Sequence, residues 1–192
     1  MKIHRQTQYG VHTWGDKGAI RSSGIHVSGI IKVLSAKHGV SYPESSITER
    51  QTRFAVGFAW EEWLVKQIPG LIHQPGPYQL DGVWMNPDGV TNDDIGVLLH
   101  EMKATWTSAA KPIQDRIMWL WQCMSYLAGV SATFGEKCTR AVIHPLYMNG
   151  DYKENRHPIY APVMLEFEWG EIEKNWELML AYKEQAKAEE WL

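Results

Sequence analysis

The sequence predicts an α/β domain, a central mixed sheet of about four or five strands flanked by helices. Three observations carry that expectation. Short runs rich in Val, Ile, Trp and Tyr are bounded by turn residues, longer runs repeat apolar side chains at helical spacing, and the two kinds of run alternate along the chain. At 192 residues and 44% hydrophobic composition, the chain 1–192 has the size of one domain and enough apolar side chains for a core of its own.

Taken in order, residues 1–24 are polar and glycine-containing and read as an extended arm. Residues 25–38 and 44–68 read as helices, the second announced by Pro43-Glu44-Ser45-Ser46. Residues 78–85 alternate partly and read as a strand running into Asn86-Pro87-Asp88-Gly89, which reads as a turn. A second strand is expected over 95–104, with Asp93-Asp94 at a hairpin tip before it. A helix over 112–129 starts on Pro112, a residue suited to a first helical turn. Two further strands follow in 138–148 and 161–169, joined by a polar loop, and an amphipathic helix closes the sequence. The helix between the second and third strands calls for a parallel crossover.

Five residues on these elements carry chemistry. Asp81 sits on the first strand. Glu101 and Lys103 share one face of the second, because side chains alternate along a strand, and Met102 points the other way into the core. Gln122 and Tyr126 are four residues apart on one helix face. Paired strands lie about 4.8 Å apart, so Asp81 and Glu101 are placed to converge on one divalent cation. A hard cation held by carboxylates keeps several waters, polarises a phosphate oxygen and lowers the pKa of a bound water. Lys103 beside it is expected to have its ammonium pKa lowered, and to orient the attacking water or donate to a phosphate. Each element has a plainer reading: Asp81-Gly82 is also turn chemistry at a strand end, and an acid-x-lysine pair is commonly a solvated face.

The runs QLDGVW, VLLHEMKAT and WQCMSYL together resemble the PD-(D/E)XK nuclease superfamily, and within it the RecB-like and phage recombination exonuclease branch. The likeness spans roughly residues 57 to 126, and Leu80 stands at the position of the name-giving proline. It implies a restriction-endonuclease-like core and a deoxyribonuclease dependent on Mg²⁺ or Mn²⁺, with one or two ions per site. It further implies an upstream helix carrying a metal ligand, for which Glu61 is the candidate and Glu62 its rival, and a main-chain carbonyl ligand at Met102. The metal set is then Glu61, Asp81, Glu101 and Met102, with Lys103 as the catalytic cation and Gln122 and Tyr126 in support. The branch implies an exonuclease acting on DNA ends in recombination, repair or phage replication. A nicking or structure-specific endonuclease and a non-catalytic DNA-binding module are the alternatives. A single-strand annealing protein or a helicase is a candidate partner.

Charge and motifs narrow the field. Lys plus Arg number 19 against 22 acidic residues, a net charge of −3, so no general basic surplus drives DNA binding. Local positive charge is expected instead from Arg53, Lys111 and Arg116, with Trp106 as a stacking platform for a base. Two cysteines, Cys123 and Cys138, are too few for an iron-sulfur cluster and read as reduced core thiols. The segment from Gly129 to Lys137 has the wrong spacing for a Walker loop, and the eight histidines show no zinc spacing. His100 faces away from Glu101 and reads as structural. No apolar run is long enough to cross a membrane, and no hydrophobic leader stretch is seen, so a cytoplasmic location is expected.

Overall fold

The structure, a computed structural model, describes residues 25–40 and 46–188. The expected arm, and residues 43–45 of the helix-start signal, lie outside the described residues. Strand β1 (Ile25–His26) leads into helix α1 (Val27–Lys37), and α2 spans Ile47–Val65. Ser46 caps α2 reciprocally: its hydroxyl accepts from the Glu49 amide at 3.2 Å, and its own amide donates to the Glu49 carboxylate at 2.8 Å. Strands β2 (Ile72–His73), β3 (Tyr78–Leu80), β4 (Val83–Met85), β5 (Gly89–Asp93) and β6 (Gly96–Thr105) follow. A 3₁₀ turn precedes α3 (Ile117–Phe134), and β7 (Arg140–Tyr147), β8 (Ile159–Tyr160), β9 (Val163–Glu166) and α4 (Trp169–Ala188) complete the order.

The strands form two sheets. The larger has the order β2-β5-β6-β7-β8, with β9 pairing along the first half of β7. Its central pair β6 and β7 is parallel, as the intervening α3 requires, and the other ladders are antiparallel. The smaller sheet has the order β1-β4-β3. The main core lies between the sheets and α1, α3 and α4, centred on Ile30, Leu34, Leu99, Leu127, Ile143 and Ile172. On the other face of β6, Met102 meets Trp60 and Leu64 of α2. Burial of about 25 cal/mol per Å² of apolar surface makes these two faces the main source of stability.

Where one strand was expected over 78–85, the structure has a hairpin. Leu80 pairs with Val83, and the two residues between them, Asp81 and Gly82, have φ of +49° and +74°. Two successive left-handed residues define the tight turn whose twist matches antiparallel strands, and Asp-Gly is a favoured pair for it. Where a turn was expected at 86–89, the chain passes through Asp88 into β5, which forms a second hairpin with β6 around Asp93 and Gly96.

A polar chain, buried at its two histidines, crosses the larger sheet on the Met102 side. Thr91 Oγ1 lies 2.9 Å from His100 Nε2, His100 Nδ1 lies 2.9 Å from His144 Nε2, and His144 Nδ1 lies 2.8 Å from the Tyr160 hydroxyl. The imidazoles stack with centroids 5.2 Å apart. Burial, and for His100 also the charge His144 would carry, pushes each imidazole down to about 4. Between pH 6.5 and about 4 the unfolded chain therefore takes up protons that the folded chain refuses, so stability falls with falling pH across that window. Urea denaturation from pH 7 to pH 4 is expected to show this slope. It should be smaller by roughly one proton in a His144→Asn variant.

Candidate active site

The apolar run of β6 places the two charged groups. Glu101 and Lys103 face α3, and Lys103 Nζ donates to Glu101 Oε1. Glu101 is 1% exposed, and its other oxygen, Oε2, has no hydrogen-bond partner. From the helix side, Gln122 Oε1 accepts from Lys103 Nζ at 2.9 Å, while Gln122 Nε2 donates to the Tyr126 hydroxyl at 3.0 Å. The glutamine-tyrosine pair thus gives the lysine ammonium a second anchor besides Glu101. Apolar neighbours on α3 supply the burial that holds this relay in place.

The second carboxylate at this cluster is Asp88. Gly89 pairs with His100, so one further step along the same register brings Asp88 opposite Glu101. Asp88 Oδ2 accepts from the Met102 amide at 2.6 Å, and the Asp88 carbonyl accepts from the Gln74 amide at 2.9 Å. Burial, then the Glu101 charge, pushes the Asp88 carboxyl well above the usual range; Glu101 is raised as well, first by burial. Burial draws the Lys103 ammonium down, but the Glu101 and Asp88 carboxylates outweigh it and hold the ammonium above its ordinary value. The expected lowering of this lysine is thereby reversed, because two acids face one base.

Asp81, expected at the site, lies elsewhere. It occupies the β3–β4 turn in the smaller sheet, where its carboxylate accepts from Trp176 Nε1 of α4 at 2.8 Å and its carbonyl from Lys183 Nζ at 2.7 Å. The left-handed turn aims the side chain at α4 rather than along a strand face. The signal that finds Asp88 is Pro87-Asp88 itself, a literal proline-aspartate pair, together with the β5–β6 turn. Counting back from Asp93 opposite Gly96 carries the register to Asp88 opposite Glu101.

The remaining candidates divide. Glu61 of α2 accepts from Gln74 Nε2 at 3.1 Å and lies 2.6 Å from His73 Nε2. It is near enough to Asp88 and Glu101 for its charge to raise both. Glu62 instead pairs with Lys66 at the surface, 3.2 Å away. Arg53 lies over the Trp106 ring, 5.6 Å from its centroid, so these two DNA-binding candidates form one surface, and Lys111 is exposed beyond it. Arg116 does not join them. It is 7% exposed, donates to Thr107 Oγ1 and to the Ser108 carbonyl, both at 2.6 Å, and stacks over Trp119 and Tyr147. Its terminal nitrogens clamp the loop after β6 and its Nε is buried without a partner, so the group lies inside the fold and not on the Arg53–Trp106 surface. Cys123 and Cys138 are buried free thiols.

A half-buried carboxylate, Asp88, and a buried one, Glu101, face a single ammonium, and Glu101 Oε2 is buried without a donor, which costs free energy unless a cation or donor meets it. Hard oxygen donors of this kind suit Mg²⁺ or Mn²⁺. Among the described residues no three His, Cys, Asp or Glu side chains already form a ready-made ligand group. Glu61 is held by His73 and Gln74, so it would have to turn to complete the set.

Comparison with known proteins gives the fold its class. No family model matches the chain, and no curated protein sequence does. Solved structures do: SSO0001, with a TM-score of 0.52 at 13% identity, is matched over 87% of this chain and 79% of its own. A phage-related exonuclease from Haemophilus somnus 129PT is matched with a TM-score of 0.51 at 10% identity, over 83% of this chain and 80% of its own. The described residues therefore share the fold of these structures, α/β with mixed sheets flanked by helices, which is the class the sequence predicts.

Proposed function

We propose that the protein is a divalent-metal-dependent deoxyribonuclease that hydrolyses phosphodiester bonds at DNA ends. The observation that carries this reading is the Asp88–Glu101–Lys103 cluster, with Glu101 buried and one of its oxygens left without a partner. In it, Asp88, Glu101 and the Met102 carbonyl would hold Mg²⁺ or Mn²⁺, with Glu61 as the further carboxylate. Such an ion supplies a polarised phosphate oxygen and a water acidic enough to attack near neutral pH. Lys103, kept cationic by its carboxylate neighbours and anchored by Gln122, donates to the scissile phosphate or orients the attacking water. Tyr126 holds Gln122 in the rotamer that presents its carbonyl to the lysine. The Arg53–Trp106 surface, three residues beyond Lys103, offers a cation and a ring to a nucleic-acid strand.

Action at ends is supported by the likeness to a phage-related exonuclease. The test is digestion of matched linear and covalently closed circular DNA, single- and double-stranded, with Mg²⁺ or Mn²⁺. Loss of linear DNA alone is expected, and EDTA should stop it. Cutting of circles would make the enzyme an endonuclease, and absence of cleavage with either ion would leave a DNA-binding module.

A further inference from the structure

A second concave feature lies away from the Glu101 cluster, where the C-terminal end of α3 meets the start of α4 beside the β3–β4 hairpin. It is a cavity of about 680 Å³. Trp176, Ile172 and Ala128 are buried at its floor, with Leu80 and the Trp169 ring beside them. Glu136, Glu173 and Glu177 are exposed at its rim. The only basic side chain among its lining residues, Lys137, places its ammonium 5.2 Å from the Trp169 ring centroid.

We propose that this cavity is a docking site for a basic side chain, arginine or lysine, presented by a partner polypeptide. Three physical features of the cavity agree on a cation with an apolar stem. Three rim carboxylates against one ammonium leave a local negative balance, which attracts a cation and repels a phosphate backbone. The C-terminal turn of α3, at Ser131, Ala132 and Gly135, brings the negative end of the helix dipole to the same edge. The positive end of α4 is offset locally by Glu171, whose carboxylate accepts from the Glu168 amide at 2.9 Å. Tryptophan faces favour a guanidinium or ammonium through the ring quadrupole, and Lys137 over Trp169 is an instance within the cavity wall. The apolar floor suits the methylene stem of a long basic side chain. The Trp176 indole N–H is already committed to Asp81, so the ring, and not its donor, is what the cavity presents.

The test uses the whole protein, with the indole N–H resonances of Trp169 and Trp176 followed by NMR. The probe is an acetylated, amidated peptide of alternating glycine and arginine, and its control is the same peptide with citrulline in place of arginine. Saturable shifts of the Trp169 and Trp176 resonances with the arginine peptide are expected, weakened at least tenfold for citrulline and in a Glu173→Gln/Glu177→Gln variant. Both glutamates are exposed; because Glu173 accepts from the Trp169 indole N–H at 2.5 Å, the free variant's Trp169 resonance starts from its own position and only the affinity is compared, while an otherwise unchanged spectrum verifies the fold. Unmoved indole resonances, equal response to citrulline, or equal affinity in the variant would overturn the proposal. So would shifts produced by a DNA oligonucleotide, or by dilution of the protein alone, which would assign the cavity to nucleic acid or to a second copy of the chain.

Discussion

An Asp88→Asn variant is expected to lose DNA cleavage by a factor on the order of 10³ or more, while Asp81→Asn retains it. Asparagine at 88 still accepts from the Met102 amide but no longer offers a charged oxygen to a cation. Asparagine at 81 tolerates the left-handed turn and keeps an oxygen for Trp176, so neither the hairpin nor the site is disturbed. The same Asp88 variant is expected to unfold at a higher temperature than wild type when no metal is present. The Asp88 carboxyl is raised by burial and by Glu101, so its contribution to stability is present at low pH and is lost as pH rises through its folded value. The gap in melting temperature between variant and wild type, measured in EDTA, should therefore open as pH rises above the ordinary carboxylate range. A variant that is inactive but no more stable in EDTA would contradict the picture of two neighbouring acids repelling each other.

Divalent cations are expected to raise the melting temperature of the wild-type protein, the second large effect. An ion that binds only the folded state stabilises it by about 2.7 kcal/mol at a hundred times its dissociation constant. For a chain of this length that corresponds to roughly 5 to 10 °C. In Glu101→Gln the shift should vanish, because the buried oxygen without a partner is gone as an anion. Calcium is a useful companion to Mg²⁺ and Mn²⁺ here, since it takes oxygen ligands but prefers a larger, more flexible shell. Scanning calorimetry with each ion, on wild type and Glu101→Gln side by side, measures this directly. An equal shift in both proteins would place the binding elsewhere.

Much of this site was legible in the sequence. The run of β6, apolar over its first half, could be read as a strand, and strand alternation then put Glu101 and Lys103 on one face. Helical spacing did the same for Gln122 and Tyr126, and the structure joins the two pairs through one hydrogen bond from the lysine. Asp81 misled because two readings of Asp-Gly were open, strand carboxylate and tight turn. Cross-strand packing of Tyr78 on Met85 and Leu80 on Val83 decides for the turn. Asp88 was hidden for the converse reason: Asn-Pro-Asp-Gly has the composition of a turn, and β5 after it is short with a polar second half. Its pairing with β6 is a tertiary fact that local propensity does not report. Arg116 shows the same limit, since only the folded loop reveals that its charge is spent on Thr107 and Ser108.

Binding of Mn²⁺, followed by the electron paramagnetic resonance signal of the free ion, tests the central assignment on wild type, Asp81→Asn and Asp88→Asn. Wild type and Asp81→Asn are predicted to take up the ion saturably and with the same affinity, and Asp88→Asn to lose at least tenfold in affinity. Loss of binding in Asp81→Asn with full binding in Asp88→Asn would contradict the site described here.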